Sequence, residues 1–155
     1  MPRHPDAATS AADHADPIRV VQAQLDAYNA RDIDGFVRTF AADAVCYDLE
    51  ALASIVPDPA TGALPIPPAA AVRCAGHAGI RARYGEQFRR APAQRSDVVS
   101  RSLIAPRSGP AYVLDLEFIT GSVGPDGSAS PAFHLVAIYR VARGLIDRAW
   151  FTPRA

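Results

Sequence analysis

The chain has 155 residues, of which 49% are hydrophobic and 21% charged, and its formal net charge is zero. That is the profile of one globular domain with a real core, not of a disordered or coiled-coil chain. Zero net charge leaves no electrostatic footprint for nucleic acid or an anionic membrane, and no apolar run approaches the length of a membrane span.

Residues 1–15 (MPRHPDAATSAADHA) are small, polar and broken by Pro. They read as a disordered tail, because they cannot bury enough apolar surface to offset ordering. The charged-then-apolar layout of a signal peptide is missing, so a cytoplasmic protein is expected. All 16 basic side chains are Arg. With abundant Ala and Pro, this suggests a GC-rich bacterial genome.

From residue 16 on, a single domain is expected. Asp16 is an N-cap for a first helix with Pro17 at its first position, where the missing N–H costs nothing. Ile18, Val21, Leu25 and Tyr28 form its apolar stripe. Asp32 caps a short second helix with Ile33, Phe36, Val37 and Phe40 facing in. Ala42 and Asp43 then turn the chain into a strand over 44–49. Residues 51–71 (ALASIVPDPATGALPIPPAAA) hold too many prolines for regular structure and too many apolar residues for a solvated linker. Two readings stay open: a lid over a pocket, or an insertion packed on the outside. A short strand over 72–74 should lead into a third helix over 77–90, with Ile80, Tyr84 and Phe88 on one stripe. Arg81, Arg83, Arg89 and Arg90 should mark its wet side and C-terminal end. Strands follow at about 97–105, 111–121, 132–141 and 145–152, separated by Gly- and Pro-containing turns. Short connections predict an antiparallel meander, and helices first with strands last predict an α+β fold.

Chemistry-bearing motifs are sparse. The four His are scattered, and Cys46 and Cys74 lack ligand spacing, so no metal is expected and the two thiols should be reduced and buried. There is no Gly-rich phosphate loop and no nucleophile elbow, and no cofactor is expected. What remains are carboxylates on apolar strands. Alternation puts Ala44, Cys46 and Asp48 on one face of their strand. It puts Asp115 and Glu117 on one face with Val113 and Ile119, in a strand apolar on both sides. Enclosure raises a carboxyl pKa, which is how such a strand makes a general acid or base near neutral pH. The competing reading is a set of Arg-paired carboxylates, with Arg101, Arg140 or Arg148 as partners. His134 falls on the strand face of Val136, Ile138 and Arg140, where a structural or interface role competes with a place in a pocket.

Three stretches, VVQAQLDAYNARDIDGFVRTFAADAVCYD (20–48), AGHAGIRARYGEQF (75–88) and HLVAIYRVARGLIDRAWF (134–151), with VLDLEFITG between the last two, resemble the nuclear-transport-factor-2-like superfamily. This group includes ketosteroid isomerase and the SnoaL-like polyketide cyclases. The likeness implies a cone-shaped, strongly curved antiparallel sheet wrapped around three N-terminal helices, with a pocket at the open end. It also implies a homodimer through the outer face of the sheet. Against the isomerase, the catalytic base falls on Asp48 and a cavity tyrosine on Tyr84. The tyrosine that donates to the dienolate falls near Gln24, one turn before Tyr28. The protonated Asp of the oxyanion hole falls on Ala137, and a supporting tyrosine on Phe40. Two apolar cavity positions fall on Asp115 and Glu117. The expected small-molecule pocket is lined by Gln24, Tyr28, Phe40, Tyr84, Ala137, His134 and Phe151, with Asp48 as the catalytic base and Asp115 or Glu117, held neutral, as the acid. The isomerase's own pair of tuned groups is incomplete here. The expected activity is cofactor-independent acid–base chemistry on a lipophilic or polyketide-like substrate. The alternative is a non-catalytic ligand-binding protein of the same fold.

Overall fold

The computed structural model describes residues 16–49, 60–61 and 71–152. The tail expected at 1–15 and nearly all of the 51–71 stretch, with the lid expected of it, lie outside the described residues. The elements are α1 (Pro17–Ala30), α2 (Ile33–Arg38), β1 (Phe40–Asp48), β2 (Val72–Ala75), α3 (Gly76–Arg90), β3 (Arg95–Ile104), β4 (Ala111–Thr120), β5 (Phe133–Ala142) and β6 (Leu145–Phe151).

Both helix starts follow from their caps. The Asp16 carboxylate accepts from the Ile18 amide at 3.0 Å with Pro17 at the first position, and Asp32 accepts from the Gly35 amide at 2.8 Å. Arg31 ends α1 in the left-handed region, with φ 59°. Its guanidinium donates to the carbonyls of Tyr28, Ala91 and Pro92 and lies 5.4 and 5.2 Å from the Tyr28 and Phe88 rings. One side chain thus stitches the end of α1 to the end of α3.

The six strands form one open sheet in the order β2-β1-β6-β5-β4-β3. The meander of β3 to β6 is antiparallel, as expected. The sheet as a whole is mixed, because β6 docks parallel to β1. Adjacent strands on short connections are antiparallel, but β1 and β6 are joined by a crossover long enough to allow either sense. α3 follows β2, as expected. One boundary differs from expectation: β1 starts at Phe40, because Thr39 already closes α2 and its carbonyl accepts from Ile146 of β6 at 2.9 Å.

Register skips one residue at three places. Cys46 faces Cys74 and Tyr47 faces Val72, which leaves Arg73 over; Val99 and Asp147 are left over in the same way. Such bulges bend a sheet and re-aim the extra side chain. The three helices pack on the inner face. Phe36, Phe40, Ile80, Val113, Ile146 and Ala149 are nearly or wholly sealed there. Phe36 lies 4.5 Å from Tyr84 and 5.2 Å from Phe40 between ring centroids. Each such aromatic contributes about 1.5–3 kcal/mol through burial. A second apolar cluster, Leu49, Ile138 and Trp150 with Tyr47, Tyr112 and Leu114 against it, covers the outer face.

Candidate functional site

A cavity of about 260 Å³ opens between α1, α3 and the inner face of β3–β6. β4 supplies Glu117. Strand alternation turns Val113, Asp115, Glu117 and Ile119 inward, and all four are buried. Glu117 is 3% exposed and forms no salt bridge among the described residues. Its Oε1 accepts from the Tyr139 hydroxyl at 3.0 Å and its Oε2 from the Ser96 hydroxyl at 2.5 Å. Burial lifts its pKa above the ordinary 4.5, and the two hydroxyl donors only partly oppose the rise. Ser96 is itself held by Asn29 of α1. The Asn29 amide donates to the Ser96 carbonyl at 2.8 Å and accepts from the Ser96 N–H at 2.9 Å.

The helices supply neutral donors. Tyr28 Oη accepts from Gln87 Nε2 at 2.7 Å, which leaves its own O–H to donate. Burial pushes its pKa up to about 12, and it raises those of Tyr84 and Tyr139 as well. All three stay protonated at neutral pH. Gln24 Oε1 and Ser122 Oγ, on the cavity wall, are buried with no hydrogen-bond partner among the described residues. Buried polar atoms are rarely left so, which makes these two receptors for whatever fills the cavity.

Arg73, the extra residue of the β2 bulge, is a cation of the cavity wall. Its Nε and Nη2 both donate to Asp48 Oδ1, at 2.8 and 2.6 Å, and its guanidinium lies 4.7 Å from the Phe151 ring beside the Tyr84 hydroxyl. Burial opposes its charge, but Tyr84 and Asp48 outweigh that, so its pKa is raised.

The structure distributes the expected residues unevenly. Glu117, Gln24, Tyr28, Tyr84 and Phe151 line the cavity. Asp48 does not. Its side chain is 36% exposed and its carboxylate spends one oxygen on Arg73, which lines the wall instead. Asp115 faces inward as expected but is closed off in a two-pronged pair with Arg101, at 2.7 and 2.6 Å, whose third arm donates to Gln22 at 2.8 Å. Phe40 and Ala137 are sealed in the core and do not reach the cavity surface. The pocket position expected for His134 is corrected. His134 pairs with Phe118 across β5 and β4 and lies on the outer face, its ring 5.1 Å from the Phe118 ring. The inward residues of β5 are its neighbours in alternation, including Leu135 and Tyr139, which line the cavity.

Sequence reading missed Arg73, Tyr139 and Ser96. Tyr139 shares a strand face with Ala137, so alternation alone could have found it. Arg73 is turned inward by a bulge and Ser96 by a clamp from α1, and neither leaves a periodic signal. Among the described residues, no three His, Cys, Asp or Glu side chains gather as metal ligands.

This arrangement can take a proton at Glu117 and return it while hydroxyl and guanidinium donors hold a developing oxyanion. Among solved structures, the chain is similar to a cystatin-fold protein of uncharacterised function from Novosphingobium aromaticivorans (TM-score 0.66, 23% identity, 88% of this chain and 97% of that one). It is similar to a candidate polyketide cyclase from Sinorhizobium meliloti (TM-score 0.61, 16% identity, 86% and 94%). It is also similar to a candidate ketosteroid isomerase from Kribbella flavida (TM-score 0.55, 18% identity, 88% and 77%). At such identities the likeness shows the fold and not the reaction. No curated protein matches the chain. The family model of the SnoaL-like domain, however, matches residues 21–149, from the buried stripe of α1 to the middle of β6, and the chain belongs to that family.

Proposed function

We propose that the chain is a small-molecule enzyme that transfers a proton next to a carbonyl, without a cofactor, on a lipophilic or polyketide-like substrate. The observation that carries this reading is Glu117: a buried carboxyl on the cavity wall, without a salt bridge among the described residues, between two hydroxyl donors. Its carboxylate takes the proton from the carbon beside the carbonyl. The C–H electron pair moves into the carbonyl, and the enolate oxygen accepts hydrogen bonds from Tyr28, Tyr84 or Arg73. Glu117 then returns the proton to carbon or oxygen, or the enolate carbon attacks a second carbonyl, whose π electrons move to its oxygen, and the alkoxide takes the proton back from Glu117 as the ring closes. Asp48 acts through Arg73, holding the guanidinium against Phe151, and is a positioning residue in this scheme. The candidate cyclase and isomerase among the structural neighbours support the class of chemistry. The reading includes a homodimer through the outer face of the sheet.

The test follows exchange directly. A panel of lipophilic ketones and 1,3-diketones is incubated with the protein in deuterated water, and deuterium next to the carbonyl is read by mass spectrometry. The wild type should accelerate incorporation, and Glu117→Gln should lose about 10²- to 10⁴-fold of that acceleration with its fold intact. Equal exchange by the variant removes Glu117 from the scheme. Ligands that bind yet are recovered without deuterium are what a non-catalytic binding protein would give.

A further inference from the structure

The cavity mouth carries a charge pattern that proton transfer does not use. On α3, Arg83, Gln87 and Arg90 recur at helical spacing and all three line the cavity. The other arginines of the helix are engaged elsewhere: Arg81 pairs with Asp34, and Arg89 with Glu86. Glu86 of the same helix also lines the cavity and pairs with Arg89. Arg83 and Arg90 have no acid partner among the described residues. Arg90 Nη2 donates to a neutral group, the Gly124 carbonyl, at 3.2 Å, which fixes its guanidinium over the rim. The cavity wall also carries apolar side chains, Leu25, Ile119, Phe133 and Leu135, interspersed with polar ones such as Gln94, Ser96 and Ser122.

We infer that the substrate is an amphiphilic anion, an apolar body with one carboxylate-like group that Arg83 and Arg90 hold at the mouth. The inference rests on the proposal that this cavity is the ligand site. Two guanidiniums without acids present forked donors that match a planar oxyanion. A concave site concentrates their field on the entering ligand. Both side chains are exposed, so the attraction should weaken as salt rises. The apolar lining then seats the body, and the reacting carbonyl lies further in, toward Glu117.

The test uses two dyes that differ by one sulfonate, 8-anilinonaphthalene-1-sulfonate and N-phenyl-1-naphthylamine, titrated by fluorescence at low and high salt. The anionic dye should bind one per chain, about tenfold or more tighter than the neutral one at low salt, and the gap should shrink at high salt. The double variant Arg83→Ala/Arg90→Ala should bring the anionic dye to the affinity of the neutral dye and leave the neutral dye unchanged. A control that removes two remote exposed arginines, Arg19→Ala/Arg107→Ala, should preserve the gap. Equal affinity of the two dyes, or undiminished anionic-dye binding by the mouth variant, overturns the anion inference while the ligand cavity stands. If neither dye binds, the ligand-site proposal falls and takes the inference with it.

Discussion

Asp115 and Glu117 sit two residues apart on one face of β4, both buried, yet their surroundings differ. Asp115 is saturated by the Arg101 fork, and removing one member of such a buried pair typically costs about 3–5 kcal/mol. Glu117 accepts from two hydroxyls and has no salt bridge among the described residues, and burial raises its pKa. The sign of the consequence follows from linkage. Where the folded state holds the proton more tightly than the unfolded one, stability is full below the unfolded pKa and is lost as pH rises through the folded pKa. The loss should begin near pH 4.5, the ordinary glutamate value, and finish above the elevated one. Glu117→Gln, which cannot ionise, should therefore gain melting temperature relative to the wild type as pH increases across that window. Parallel melting curves would contradict the assignment. That both acids share one face was legible from alternation, and the family resemblance turned that face inward. Which of them lacks a salt bridge among the described residues was not, because Arg101 arrives from β3, an element whose register the residues of β4 do not encode. The same holds for Asp48, where the partner comes from a bulge.

At the scale of elements, caps and stripes carried over almost unchanged. Asp16, Asp32 and the Ile80–Tyr84–Phe88 stripe do in space what their spacing implies. Strand ends and bulges did not carry over, since they are set by neighbours and not by the local chain. Gly121 shows why one such end is strict. It closes β4 at φ +68°, and a Cβ there would stand 2.3 Å from the Ala93 carbonyl oxygen, just beyond α3. A backbone atom cannot swing away as a side chain can. Gly121→Ala should cost about 2 kcal/mol or more in chemical denaturation, from the positive φ and the collision together. It should also disturb the cavity, because Ser122 follows directly on its wall. A variant within a few tenths of a kcal/mol of the wild type would show that the β4 end can relax.

The whole molecule is a sheet with two dissimilar faces. The inner face holds the helices and the cavity. The outer face carries Tyr47 stacked on Trp150 at 5.9 Å, with Leu49, Ile138 and Leu114 around them and Val136 37% exposed further along β5. Family resemblance supports the homodimer proposed above; Leu49, Ile138 and Trp150 are buried within the chain, and Val136 is the exposed apolar residue of this group. Light scattering should give twice the chain mass, and Val136→Arg should shift it toward one chain without changing the fold. A wild type of single-chain mass would remove the dimer from the scheme. The α+β class and the four-strand meander were readable from turn residues. The parallel seam was not, because nothing within β1 or β6 records which distant strand it will meet.

That seam has a further consequence, for the order in which the protein can become competent. β6 fills the slot between β1 and β5, and it is the last described strand to leave the ribosome. Until it arrives, β1 and β5 each offer an unpaired edge, and Phe151 is missing from beneath Arg73. Closing the sheet brings together segments separated by nearly the whole described chain, a slow step on entropic grounds. A nascent chain of this protein can therefore hold its helices and the β3–β5 strands early, but the cavity is complete only once β6 has been made.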